Sequence, residues 1–410
     1  MRADDRPRLR PLDVQEIRQP DAEGLLLIDH EGLLDGQVFV PEGLLPVIAV
    51  FDGARSVAEI AAELGRRFGQ DVPVDFVAGV ADQLDERLCL EGPRVEAARR
   101  RRREAFDRLE ARPAVHAGSA GYPAEPGDCA AALDDLLGRR TGHTSPAAAG
   151  GTRLAGLVAP HIDLARGAGG YRAIYGALDD HTLPELFVVF GTSHHGGSHV
   201  LIPCGKHFDT PVGRVPVDRG LVDRLVATAG RPEVWDEELL HLGEHSVELQ
   251  ALMLRRVLGD RPLRILPFLC GRLPAEPDTD PEVAAWVDAL AEVCAEVPGG
   301  VAFVAGADLA HLGPFFGDAE PVDDALLGDL AHLDRGSLDL YVQGRTGDFH
   351  AHVEEDDNPR RICGTAPMYW AATLARRLYP DCRLELLDYS QAVAEDRSQV
   401  VSHASVVIRA

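Results

Sequence analysis

No apolar run in this chain approaches the roughly 20 residues that span a bilayer. Its start, Met1-Arg2-Ala3-Asp4-Asp5-Arg6, has no apolar stretch of the kind found in a signal peptide. A cytoplasmic protein that does not enter a membrane is therefore expected. The 7 cysteines are odd in number and none forms a Cys-x-x-Cys pair, which argues against both a disulfide framework and a zinc ribbon or finger. Most are expected to be reduced core residues, with Cys363 as the exception. Positive charge is also scarce, since 41 Lys and Arg face 66 Asp and Glu, a formal net charge of -25. Such a surface repels phosphate backbones, so nucleic acid is not an expected partner. The one basic run, Arg99 to Arg103, reads as a solvated helix in a linker.

With 410 residues, 45% of them hydrophobic, the chain has the length for two or three domains and the composition of a globular protein. It divides into a first domain over 1–92, a charged helical linker over 93–112 and a larger domain over 113–410. In the first, Leu25-Leu26-Leu27-Ile28 and Gln37-Val38-Phe39-Val40 read as short strands around a turn, and Leu44 to Phe51 as a buried helical segment. Ser56-Val57-Ala58-Glu59 has the spacing of a capping box, with Ile60, Leu64 and Phe68 on one helical face before Gly69 ends the helix. A second helix from Asp75 carries Phe76, Val80 and Leu84 inward and finishes at the strand-like Leu88-Cys89-Leu90. The result is a small α+β unit of winged-helix type. With Arg6-Pro7-Arg8-Leu9 and Phe51-Asp52-Gly53, this pattern resembles the PqqD-like family over residues 6–92. The resemblance implies peptide capture by strand addition at an exposed sheet edge, which works through backbone hydrogen bonds.

Beyond an Ala-, Gly- and Pro-rich stretch, Pro113 to Gly151, in which only Asp128 to Leu137 reads as helix, strands and helices alternate. The strands are Leu154 to Val158, Leu186 to Phe190, Arg264 to Leu269, Val301 to Ala305 and Leu384 to Tyr389. Helices are expected at Tyr171 to Leu178, Leu221 to Ala227, Ser246 to Leu258, Glu282 to Val297 and Ala366 to Leu378. Continuous apolar strands are buried on both faces, so the fold class is α/β, a three-layer α/β/α sheet. Ligands in such sheets gather at strand carboxyl ends.

Polar signatures fall at those ends. His161 leaves a strand on a proline-stiffened turn, Ala159-Pro160-His161, and His194-His195 leaves another after Gly191-Thr192-Ser193. With one helix between them, these two strands are expected to be neighbours. Glu244-His245 opens a helix, as a charge at its N-terminus, an acid or base, or a holder of another ligand. The spacing Asp308-x-x-His311 lets the carboxylate orient the imidazole. Cys363 precedes a helix whose dipole, like a metal, favours the thiolate. Buried groups of this kind need a common partner. A transition metal, iron, copper or zinc, accepts such a mixed nitrogen, oxygen and sulfur donor set better than magnesium or calcium does.

Taken in order, Ala159-Pro160-His161, Gly191 to His195, Glu244 to Glu248, Asp308-x-x-His311-x-Gly313, Ile362-Cys363-Gly364 and Asp388-Tyr389-Ser390 resemble the Memo family, including the AmmeMemoRadiSam system protein B group. His116-Ala117-Gly118-Ser119 to Tyr122-Pro123 looks like its opening segment, so the match spans 113–410. The resemblance implies the fold of class III extradiol dioxygenases, non-haem iron enzymes. It implies His161, His194 and Cys363 as metal ligands, with iron ahead of copper or zinc, and His195, Glu244, His245, Asp308 and His311 as catalytic candidates or supports. It further implies radical-SAM and AMMECR-type partner proteins. Extradiol enzymes complete their iron site with a carboxylate, so Cys363 in that place weakens direct transfer of the reaction. The chain also departs from the family pattern at Ile162-Asp163 and Gln250, and Asp163 is expected to line the pocket as an extra acid. The expected function is an iron- or copper-dependent oxidoreductase. The alternatives are a non-catalytic metal-binding scaffold or redox-modulating protein that recruits a peptide or partner enzyme through its first domain, and a zinc hydrolase.

Overall fold

The computed structural model describes residues 1–19, 22–29, 31–34, 36–119, 121–138 and 151–410. It divides into two units, Met1–Leu109 and Glu110–Ala410. Part of the Ala-, Gly- and Pro-rich stretch, 139–150, lies outside the described residues.

In the first unit, β1 (Asp13–Gln19), β2 (Ala22–Ile28) and β3 (Val38–Pro41) form an antiparallel sheet in that order. β1 gave no apolar signal because Asp13 to Glu16 face solvent; Val14 is 56% exposed. A single turn, α1 (Leu45–Ile48), leads to α2 (Val57–Phe68), α3 (Val74–Glu86) and α4 (Pro93–Asp107). Ser56 and Glu59 close the capping box reciprocally, and Gly69 ends α2 in the left-handed conformation that glycine tolerates. Ser56→Ala is expected to lower the stability of this unit by about 1 kcal/mol in chemical denaturation. The core is Leu27, Val57, Ile60, Leu64, Val77, Val80 and Leu84. Phe68 and Phe76, expected inside, are about half exposed at 49% and 47%. They occupy the last position of α2 and the first turn of α3, where the buried stripe has already turned away. The basic run lies on α4, within the first unit, and Arg99 there pairs with Glu31 at 2.7 Å and Glu91 at 2.8 Å.

The second unit begins with β4 (Ala111–Arg112) and α5 (Pro126–Leu137). Then follow β5 (Thr152–Ala159), α6 (Ala168–Gly176), β6 (His181–Thr182), β7 (Leu186–Thr192), β8 (Leu201–Pro203) and β9 (His207–Phe208). Next come α7 (Arg219–Ala229), α8 (Ser246–Leu258), β10 (Arg264–Cys270), α9 (Pro281–Ala295), β11 (Val301–Gly306) and β12 (Asp308–Leu312). The last elements are α10 (Asp324–Val342), α11 (Thr346–Glu354), α12 (Thr365–Leu378), β13 (Arg383–Val393) and β14 (Val400–Arg409). The main sheet, nine-stranded among the described residues, runs β12-β14-β5-β11-β7-β10-β8, with β13 beside β14 and β6 beside β5.

β5, β11, β7 and β10 are mutually parallel, and β14 meets β5 antiparallel. Alternation along β7 shows the layering. The ring of Phe190 stacks on Trp370 of α12, whereas a side chain on the next residue, Gly191, would strike Ser246 and Val247 of α8. Helices therefore cover both faces of the parallel strands, whose side chains are buried apart from Thr152 and Arg153 at the start of β5, Thr192 at the end of β7 and Arg264 at the start of β10. The strands carrying His161 and His194 are not neighbours as expected, because β11 inserts between β5 and β7. Chain order does not fix lateral order, and three parallel carboxyl ends, not two, meet at the site.

Candidate metal centre

His161 follows β5, His194 follows β7, and Cys363 directly precedes Gly364, the N-cap of α12. These three residues bring one ligand atom each within 4.8 Å of the others. Sγ of Cys363 is 3.2 Å from Nε2 of His161, and the two imidazole centroids are 5.0 Å apart. The close approach depends on bare backbone, since a Cβ on Gly364 would collide with the carbonyl of Asp308.

Each ring is held by its other nitrogen. Nδ1–H of His161 donates to the Gly306 carbonyl at the end of β11, at 2.9 Å, and Nδ1–H of His194 donates to Glu244 at 3.0 Å. Both Nε2 lone pairs are thereby left for a ligand role, the arrangement that metal-binding histidines use. The donor set fits a borderline transition metal on its chemistry, with two nitrogens and a sulfur.

Glu244 is 1% exposed and accepts from the backbone N–H groups of His194, His245 and Ser246 as well as from the His194 ring. Burial pushes its pKa up, but the bonds and charges of His194 and His245 outweigh this and hold it well below the usual carboxylate range. Burial likewise works against protonation of His161 and His194. The charges of Cys363 and Asp308 for His161, and Glu244 for His194, still keep both above the ordinary imidazole value. His245, the residue before α8, stacks on His194 at 5.0 Å and meets His161 edge-on at 5.3 Å, forming a second possible ligand group with His194 and Glu244.

Asp308 does not hold His311, contrary to expectation. Its Oδ1 accepts from the backbone N–H of His161 at 2.9 Å, and its Oδ2 lies 3.6 Å from His161 Nε2. A bulge between Asp308 and His311 leaves them opposite His403 and Val401 of β14, on one face of the strand. His311 instead donates from Nδ1 to the carbonyls of Leu309 and Arg361, and burial lowers its pKa. His195 lies beside His194, rings tilted and 6.5 Å apart, outside the ligand group. Asp163, expected as an extra acid, belongs to neither ligand group among the described residues and pairs with Arg166. Gln250 buttresses the turn before His161, donating to the Pro160 carbonyl at 2.9 Å and accepting from Tyr175.

The site rests on a platform that sequence patterns did not reveal. Arg112 of β4, fully buried, pairs with buried Glu248 of α8 and donates to the carbonyls of His241 and Glu244. Glu248 also accepts from Tyr122 and from the backbone of His116. The ring of His116 sits edge-on to His245 at 5.6 Å, adding a fourth imidazole. These contacts join segments more than a hundred residues apart, so only the opening segment's likeness to the family could have marked them. His241, beneath this platform, donates to the Ile202 carbonyl, and burial pushes its pKa down to about 4. Its folded value lies below the unfolded value of about 6.5, so its stabilising neutral form is favoured above that pH and loses ground as pH falls. Denaturation of this unit should therefore show roughly 3 kcal/mol of stability lost between about pH 6.5 and 4 through His241 alone. His241→Gln should flatten that slope.

A family profile described as Memo-like protein matches residues 112–407. A MEMO1 family protein of Aquifex aeolicus is 23% identical over 407 residues, covering 98% of this chain and 99% of its own. One from Thermus thermophilus is 27% identical over 310 residues, 76% of this chain and 87% of its own. One from Pyrococcus furiosus is 28% identical over 272 residues, 63% and 87%. The profile covers well over half of the chain and spans His161, His194 and Cys363, and on that match the chain belongs to the Memo-like protein family.

Proposed function

We propose that His161, His194 and Cys363 hold one transition-metal ion, iron ahead of copper or zinc, and that the protein is an oxidoreductase built on this centre. The observation that supports it is the pair of imidazoles tied at Nδ1, with Nε2 of His161 3.2 Å from a thiol sulfur. Three protein ligands leave coordination positions open for a substrate. An ion bound there would supply Lewis acidity and, for iron or copper, electron transfer. The chain's own residues do the rest. Glu244 fixes His194 and the loop before α8, Asp308 fixes His161, and His245, packed against both ligand rings, takes or gives protons, with His311 and His195 as the further candidates for that role.

The test is oxygen uptake by anaerobically reconstituted protein offered a catechol or a modified peptide. Uptake that depends on the metal and is lost in His161→Ala is expected. Metal-loaded protein that consumes no oxygen with either substrate removes the oxidoreductase reading.

A second reading, a metal-binding scaffold that recruits a peptide or partner enzyme, draws on one observation. β1 is the outer strand of its sheet and has only β2 as a neighbouring strand among the described residues, so an extended peptide has an edge to join. On the PqqD-like resemblance that peptide is a precursor, and on the Memo resemblance the partners are radical-SAM and AMMECR-type proteins. Saturable peptide binding by the full chain, abolished by proline at Gln15, is expected on this reading. Binding unchanged by that proline contradicts it.

Metal uptake should also release protons. With His161 and His194 both raised above their ordinary pKa, each must be deprotonated to bind, so affinity falls as pH is lowered through those raised values, a loss that sets in above the ordinary imidazole value of about 6.5. Calorimetric titrations in two buffers of different ionisation enthalpy count those protons. A pH-independent affinity contradicts the ligand assignment.

A further inference from the structure

His311 is gripped at four points, and three of the grips come from two consecutive arginines shortly before Cys363. Its backbone N–H donates to the Arg360 carbonyl at 2.9 Å. Its own carbonyl accepts from the Arg361 guanidinium at 3.1 Å, and its Nδ1–H reaches the Arg361 carbonyl at 3.2 Å beside that of Leu309 at 3.1 Å. The ring of Phe316 closes on the imidazole perpendicularly, with centroids 5.2 Å apart.

The two arginines are themselves anchored in opposite directions. Arg360 is buried, pairing with buried Asp334 at 2.7 Å and donating to Ser337 at 2.8 Å. The side chain of Arg361 is 41% exposed and forks onto both carboxylate oxygens of Asp318, a geometry that a guanidinium offers and an ammonium does not. Asp318 in turn accepts from the backbone N–H of Gly313 at 2.7 Å, so the turn after β12 is closed onto the same side chain. Arg361 holds a left-handed backbone, φ 52°, which L-residues seldom adopt and which persists where the surroundings enforce it, often at functional sites. Asn358 enforces it here, its carbonyl accepting from the Arg361 N–H at 2.9 Å and its side chain bonding both backbone groups of Ile362.

A neutral imidazole with its proton on Nδ1 has a bare lone pair at Nε2, and Nε2 of His311 makes no hydrogen bond to the described residues. The ring also lies within reach of the charges of Asp308 and His161. Which nitrogen carries the proton depends on the Arg361 carbonyl, and the place of that carbonyl depends on the Arg361 side chain. We propose that Arg361 is a positioning residue: by clamping His311 at its carbonyl and at its ring, it fixes the Nδ1–H tautomer and keeps Nε2 free to exchange a proton with a molecule at the metal centre. The proton exchange rests on the oxidoreductase reading above, whereas the hold on the tautomer does not.

Nitrogen NMR of the histidine-labelled, metal-free full chain, at a pH where the imidazole is neutral, reads the tautomer directly, with His311→Gln assigning the signal. Wild type is expected to show His311 in the Nδ1–H form alone. Arg361→Gly, which accepts the left-handed backbone and removes only the side chain, should populate the Nε2–H form to a comparable extent, and Asp318→Asn should shift the balance the same way by less. Arg272→Gln removes an exposed arginine that pairs with Glu354 and Asp357 and makes no bond to His311, so it should leave the wild-type tautomer. A wild type in the Nε2–H form, an Arg361→Gly variant that keeps the pure Nδ1–H form, or an equal shift in Arg272→Gln overturns the proposal. If Arg361→Gly does not fold, Asp318→Asn decides it by the same criterion. In metal-loaded protein turning over a catechol, Arg361→Gly at full metal occupancy should lower kcat for oxygen uptake about 10 to 100-fold with KM little changed, and an unchanged kcat overturns the link to proton exchange. A wild type that consumes no oxygen while its His311 tautomer responds to Arg361→Gly sinks the oxidoreductase reading and leaves the positioning role standing.

Discussion

Cys363→Ala is expected to reduce bound metal from about one equivalent per chain to a trace under conditions that saturate the wild type. The thiolate is the only anionic donor in the group of His161, His194 and Cys363, so its loss removes charge compensation as well as a bond. Outer partners of ligands are typically worth about 10 to 100-fold in affinity, and a ligand should exceed that. His161→Ala should act as strongly, while Glu244→Gln, which keeps the shape but weakens the hold on His194, should fall within that smaller range. Cys363 is only half-buried, so its replacement should leave the fold intact. Metal analysis after equilibrium dialysis reads all three. If Cys363→Ala retains a full equivalent, the sulfur is not a ligand.

The largest stability effect is expected at Arg112. Its guanidinium is wholly buried against Glu248 and also donates to three carbonyls, those of Pro113, His241 and Glu244. Truncation to alanine leaves the Glu248 carboxylate buried and lacking its counter-charge, a situation that costs about 3–5 kcal/mol. The loss should appear in the denaturation of the larger unit, and metal affinity should fall with it because the Glu244 carbonyl loses its donor. An Arg112→Met, Glu248→Leu double variant should recover much of the stability, since the desolvation cost of the pair disappears along with the pair. A single variant within about 1 kcal/mol of wild type would show that the ion pair is idle.

Local signals carried far in this chain and topological ones did not. α8 is legible because Glu244-His245 meets a helical apolar period, and the element begins at Ser246 as expected. The parallel strands are legible because burial on both faces demands unbroken apolar residues. β14 is buried just as fully, yet Ser402, His403 and Ser405 interrupt its apolar run. The two serines are tolerated through tertiary contacts, Ser402 with Asp334 and Ser405 with the Gly170 carbonyl, which no window of sequence contains. The insertion of β11 between β5 and β7 is a matter of lateral order, and Asp308 accepts from the backbone of His161, 147 residues away in sequence; neither has a residue signature. The cluster of His161, His194 and Cys363 was legible only jointly, through the order of motifs shared with the family. His116 entered only through the opening segment's likeness to the family, because an isolated histidine reads the same whether it packs, binds or stands alone.

X-ray absorption of the metal-loaded chain tests the central claim most directly. One sulfur at about 2.3 Å and two imidazole nitrogens at about 2.0–2.1 Å are expected for zinc-loaded protein, with the sulfur shell gone in Cys363→Ala. A first shell made only of nitrogen and oxygen in the wild type would contradict the account.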